Sequence, residues 1–326
     1  MQDLTLQDNN TAISSRGDSE DEPHKCWREL VRENGMYLSR VPHDMRTPSI
    51  CLEAVRQNGR ALMHVPEAVQ TPAICLAAVR DDPGIFHPWV KRQTEEVCQA
   101  AVERQPWNLR HVQKQTTDIC LAAVRADCWT IRDADPSVLD ERICLEAVKQ
   151  NGLVLMSIPL KSRTYAVCMA AVENNGLMLG MVPPLLLDRE ICETAVRQNA
   201  KALYLVPKTF MDEALCLHAV EADGWALKFV PPALLSRRLI LAAVSQNGQV
   251  LRMVTEQDRE ICEAAVHDSP DAISFVRSPE FVLLQEVRER VRACHSGSPR
   301  SEVCDFLGSL LAQAELEKEE CSGTRP

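Results

Sequence analysis

The chain has 326 residues and a formal net charge of -10, with 45% hydrophobic, 25% charged and only 4% aromatic residues. That balance belongs to a chain with a packed interior, and its acidic field argues against nucleic acid or an anionic membrane as a partner. No stretch reaches the roughly 18 uninterrupted apolar residues of a membrane span, and the N-terminus lacks the basic-then-apolar order of a general export signal, so the expected location is the cytoplasm.

Residues 1–22 are rich in Asn, Asp, Ser and Gln and are expected to be a disordered polar leader. The plain reading is a tail. The alternative is an export leader of the kind that carries a bacterial effector into a host cell, where it would bind a host protein.

From residue 23 to 277 one pattern recurs. Val55, Val79, Val102, Val124, Val148, Val172, Val196, Val220, Val244 and Val266 each follow an alanine, at a spacing of 22 to 24 residues, and Val31 marks an earlier, degenerate copy. A fixed period of this size is the signature of stacked repeats that bury their apolar faces against their neighbours. Eight positions before the ten valines stand Thr47, Thr71, Thr94, Thr116, Asp140, Thr164, Asp188, Asp212, Ser236 and Asp258, all good helix N-caps. Pro48 and Pro72 follow at the first helical position, which tolerates proline. Apolar residues such as Ile191, Cys192, Ala195 and Val196 then form one buried stripe.

Asn34-Gly35, Asn58-Gly59, Asn151-Gly152, Asn175-Gly176, Asp223-Gly224 and Asn247-Gly248 follow the valine and suggest a left-handed residue that closes the first helix. A second, shorter helix carries Leu38, Leu62, Leu155, Leu179, Leu203, Leu227 or Leu251 inward. Pro42, Pro66, Pro159, Pro183, Pro207 and Pro231 end it. The expected fold is all-α, an α-solenoid of about eleven tandem helix-turn-helix repeats with a C-terminal capping helix.

Runs such as Ile143-Cys144-Leu145-Glu146-Ala147-Val148-Lys149-Gln150-Asn151-Gly152 resemble the repeat family known as domain of unknown function 4116, over roughly residues 27 to 277. The resemblance implies a helical repeat fold and carries no activity.

Nine cysteines share one column: Cys51, Cys75, Cys98, Cys120, Cys144, Cys168, Cys192, Cys216 and Cys262, with Ile240 in the tenth place. The isoleucine points to an apolar core column. Equivalent positions in stacked helices lie roughly 8–10 Å apart, beyond the reach of a disulfide, and no Cys-x-x-Cys pair offers a zinc site. His64 and His111 lie two units apart and cannot share a metal. No nucleophile with a base, phosphate-cradling loop or ligand cluster is recognisable, so the chain is expected to be non-enzymatic and to need no cofactor.

A protein partner is therefore expected, held by the variable columns of the array. Trp107 and Trp129 share a column in the irregular units around residues 80–135, and Trp225 returns to it; each is a candidate anchor or a local repacking element. Tyr204, Phe229, Met253 and Phe275 form a candidate apolar patch, provided that they face outward. Beyond the array, residues 278–295 are expected to form a terminal helix. Residues 296–320 form a linker and an amphipathic helix with Val303, Phe306, Leu307, Leu310 and Leu311 on one side, as a cap or a docking arm, and 321–326 a disordered tail.

Overall fold

The computed structural model describes residues 22–277. The polar leader, the helix at 278–295, the linker with its amphipathic helix, and the tail lie outside the described residues. Every regular element among the described residues is helical, so the all-α repeat class is shown.

The residues form two compact units, one reaching to Gln150 and including Ser157–Ser162, the other Asn151–Met156 and the residues from Arg163 onward. In the first, the helices Glu22–Glu33, Pro48–Gln57, Pro72–Asp81, Glu95–Arg104, Thr117–Ala126 and Glu141–Gln150 pack each on the next. In the second, Tyr165–Asn174, Arg189–Gln198, Glu213–Ala222, Arg237–Gln246 and Arg259–Asp268 do the same.

Each helix starts where the sequence places its cap. Thr47 Oγ1 accepts from Ile50 N–H, Asp140 and Asp188 accept at 2.9 Å from Ile143 and Ile191, and Asp258 from Ile261, satisfying donors that the first turn leaves orphaned. The stripe behind them is core: in Arg189–Gln198, Ile191, Cys192, Ala195 and Val196 are all inaccessible to solvent.

The second helix of each repeat is a six-residue 3-10 helix, as in Gly35–Arg40, Gly176–Met181 and Gly248–Met253. Its period of three residues puts the glycine and the leucine of the repeat on the same inward face; Gly176 and Leu179 are buried together. Proline stands two residues beyond the end of this helix. Pro42, Pro66, Pro183 and Pro231 open a further single 3-10 turn instead, at 43–45, 67–69, 184–186 and 232–234.

The glycines correct the expectation of a left-handed turn: no described glycine has a positive φ. Asn58, Asn175 and Asn247 sit in extended conformation and cap the 3-10 helix, the Asn175 side chain accepting from Leu177 N–H at 3.1 Å. The glycine is needed because the next repeat comes too close. A Cβ on Gly176 would stand 2.3 Å from the Ala195 carbonyl oxygen, and one on Gly59 2.7 Å from that of Ala78.

That approach is locked by a hydrogen bond between repeats. Gly35 N–H donates to Gln57 Oε1 at 2.5 Å, Gly59 to Asp81 at 2.7 Å, Gly152 to Asn174 at 2.7 Å, Gly176 to Gln198 at 2.6 Å, Gly224 to Gln246 at 2.6 Å and Gly248 to Asp268 at 2.7 Å. The acceptor is always two residues after the valine of the following repeat. Pro83 and Pro106, which have no N–H to offer, face Arg104 and Ala126 at that position. Ala200 and Cys128 also stand at the glycine position, and opposite Ala200 it is Ala222 that takes the acceptor's place.

A second clamp uses the residue just before each N-cap. Gln70, Gln93, Gln115 and Gln257 each reach into the following repeat, where the carboxamide donates to one carbonyl and accepts from the N–H two residues further on. Gln93 donates to His111 O at 3.0 Å and accepts from Gln113 N–H at 2.8 Å; Gln115 bridges Asp133 O and Asp135 N–H at 2.9 and 2.6 Å. Where that second residue is Pro66 or Pro183, the preceding repeat carries Arg46 or Arg163, a donor only, bonded to His64 O or Met181 O at 2.8 Å.

Candidate interaction surface

Within a 3-10 helix, residues three apart lie on one face. The positions five and eight after the repeat valine therefore form a single outward ridge, which unites the tryptophan column with the Tyr204 column.

In the first unit this ridge is aromatic and basic. Trp107 is 52% exposed, and Arg110 three residues on pairs with Asp133 at 3.2 Å. Trp129 is half-buried, with the Arg132 guanidinium 5.6 Å from its ring centre. His111 stacks on His87 with ring centres 4.0 Å apart and planes 13° from parallel. Burial first, then the nearby His87 and Arg110, pushes the His111 pKa down.

In the second unit the ridge is mixed: Leu153, Met156, Leu177, Tyr204 and Trp225 share it with Lys201, Lys228 and Arg252. Leu153 and Met156 are both exposed, Met156 at 60%, and so is Tyr204, at 55%; Met181, nine places after its valine, is exposed beside the ridge, where Gly180 takes the ridge position. The 3-10 helices that carry Met181, Tyr204 and Phe229 touch one another in sequence. The Tyr204 ring lies 5.4 Å from that of Phe229, whose own ring is 4.7 Å from Lys228 Nζ. Trp225 is half-buried with the Arg252 guanidinium 4.6 Å from its ring.

The expected patch of Tyr204, Phe229, Met253 and Phe275 thus needs correction: only Tyr204 is exposed, and Phe229, Met253 and Phe275 are half-buried. They stand nine places after the valine, one step round the 3-10 helix from the ridge. Met156, Met181 and Leu153 are the residues missed. Three-residue spacing would have found two of them, had the second helix been read as 3-10.

Beside this ridge lies a groove of about 580 Å³, lined by Leu227, Leu235, Ile240, Met253, Thr255 and Asp258 among others. Ile240 is half-exposed here, whereas the nine cysteines of its column are buried.

Those thiols are core groups. Burial drives Cys51, Cys98, Cys120, Cys144, Cys192, Cys216 and Cys262 up to about 11, so each is a neutral thiol at pH 7. Cys120 Sγ donates to Gln115 Oε1 at 3.5 Å. Among the described residues, no three His, Cys, Asp or Glu side chains gather into a metal-binding group, and no helix is long and apolar enough to cross a membrane.

Two stretches of the chain match the model of the family described as Domain of unknown function (DUF4116). The family's model matches residues 28–70 in the first unit and 167–211 in the second. Each DUF4116 match contains an α-helix, its Asn-capped 3-10 helix and the next N-cap or the residue before it. No curated protein and no solved structure matches the chain.

Proposed function

We propose that the chain is a non-catalytic scaffold that binds another protein through the exposed apolar residues of its second unit, Leu153, Met156, Met181 and Tyr204. The supporting observation is that Met156 and Tyr204, large apolar side chains, are more than half exposed at equivalent positions of repeated 3-10 helices, with Met181 also exposed between them in the chain. Scattered exposed apolar residues are ordinary, but a row set by the repeat itself marks a contact surface. Aromatic and methionine side chains are also those enriched at interface centres. The cytoplasm is the location this reading assigns.

The test is affinity capture from the native cell with the full chain and with a Met156→Ser, Tyr204→Ser variant, each first shown by urea denaturation to be folded. A protein that binds the parent chain directly and loses at least tenfold in affinity for the variant supports the ridge. Equal binding of every captured protein to both chains refutes it.

A further inference from the structure

The glutamine clamp reveals a site that the chain leaves for another molecule. In four repeats a glutamine carboxamide bridges a carbonyl and the N–H two residues later: Gln70 at Trp89 O and Lys91 N–H, Gln93 at His111 O and Gln113 N–H, Gln115 at Asp133 O and Asp135 N–H, and Gln257 at Phe275 O and Arg277 N–H. The fifth such backbone pair without proline is Met253 O and Thr255 N–H. There the preceding repeat carries Leu235 instead of glutamine. Neither Met253 O nor Thr255 N–H has a hydrogen-bonding partner among the described residues.

The other repeats that lack the glutamine do not share this feature. Leu139, Leu187 and Met211 face Pro159, Pro207 and Pro231, which have no N–H to satisfy. The residue that elsewhere supports the clamp has changed as well. Cys75, Cys98, Cys120 and Cys262 donate to the oxygen of their glutamine at 3.5 to 3.9 Å, and Ile240 replaces that cysteine here. Leu235 is 43% exposed, and the same groove is lined by Leu235, Ile240, Met253, Thr255 and Ile261. Its volume, about 580 Å³, exceeds one side chain and suits a short stretch of peptide.

We infer that this groove binds a glutamine side chain of a partner peptide, whose carboxamide donates to Met253 O and accepts from Thr255 N–H as the chain's own glutamines do in four other repeats. The aliphatic stem lies against Leu235 and Ile240. A carboxylate is excluded, because it accepts at Thr255 N–H but offers no donor to Met253 O, and it would meet Glu256 and Asp258 in the groove lining. The inference rests on the scaffold reading for the source of the peptide alone.

The test uses the full chain labelled with ¹⁵N-threonine, the Thr255 amide being assigned by its loss in Thr255→Ser. N-acetylglutamine methylamide, titrated into the tens of millimolar, should move that resonance downfield and saturably. N-acetylglutamate methylamide should leave it in place. In Leu235→Gln, the internal carboxamide should shift the Thr255 amide downfield before any probe is added and abolish the response to it. A Thr255 amide that ignores the glutamine probe, moves equally with the glutamate probe, or responds undiminished in Leu235→Gln overturns the inference. The ridge test, read on Met156→Ser, Tyr204→Ser, is independent of all three outcomes.

Discussion

Replacing Gly176 with alanine should destabilise the second unit, although alanine is the better helix former. The backbone there has no positive φ, so the substitution carries no conformational strain of its own and would stabilise an open site by about 0.4–1 kcal/mol through the unfolded chain. The added Cβ, however, would stand 2.3 Å from the Ala195 carbonyl oxygen and 3.0 Å from Gln198 Oε1. Backbone must move to admit it. Forcing atoms into a packed contact costs about 1–3 kcal/mol, and drawing the repeats apart weakens the 2.6 Å bond from Gly176 N–H to Gln198, worth about 1 kcal/mol. The net loss is about 2 kcal/mol, or roughly 4–8 °C in Tm for a unit of this size. The internal control is Ala200, which occupies the glycine position with Ala222 opposite it. Ala200→Gly relieves no clash and should cost only about 0.4–1 kcal/mol by the same unfolded-state effect. Urea denaturation followed by circular dichroism measures both. If Gly176→Ala is as stable as the parent chain, close approach is not what selects glycine, and the argument fails for every glycine of the lock.

Gln115→Leu leaves Asp135 N–H without its acceptor and should cost about 0.5–1.5 kcal/mol, with hydrogen exchange at the Asp135 amide rising at least tenfold; an unchanged rate would deny the clamp. Asp188→Ala removes a helix cap and should lower stability by about 1 kcal/mol in the same denaturation assay. The column thiols hold their protons in the fold up to about 11 but release them near 9 when unfolded, so folding stability should fall as pH rises from about 9 toward 11. Urea midpoints between pH 8 and 10.5 report this, and a flat profile refutes the buried-thiol reading. His111 is held below its ordinary value of 6.5, so the unfolded chain binds the proton more readily, and its contribution is complete above 6.5 and lost as pH falls below. His111→Gln should flatten the slope of stability between pH 5 and 7.

The parts legible in the sequence are those whose cause is local. Thr164 or Asp188 caps the helix that begins beside it, and Leu179 follows Val172 on the same short stretch, so type and position reveal both. The inter-repeat bonds were not legible, because Gln198 acts on Gly176 and Gln93 on His111, some 20 residues away, and nothing in either residue alone names the other. The ridge was misjudged for a different reason. Tyr204 stands eight and Phe229 nine places after its valine, adjacent columns that only the exact period of three assigns to different sides of the helix, and a six-residue helix holds too few residues to tell 3.6 from 3.0. The left-handed glycine failed because an Asn-Gly pair serves equally for a chain that turns and for a chain that is crowded.

The bond from each glycine to the repeat after it also governs how such a chain can be rewritten. A repeat brings a donor at one end and an acceptor near the other, so excising or duplicating one is harmless only if the new neighbours still match: a Gly-type end beside Gln, Asp or Asn, a Pro-type end beside a residue with nothing to accept. Exchanges between Gly35 and Gly59 repeats preserve the match, whereas moving the Pro106 repeat ahead of Gln198 leaves the Gln198 carboxamide oxygen without its donor. The seam at Ala200 and Ala222 already leaves the Ala200 N–H without a side-chain acceptor, so it is the place in the second unit where a foreign repeat could be spliced with the least lost.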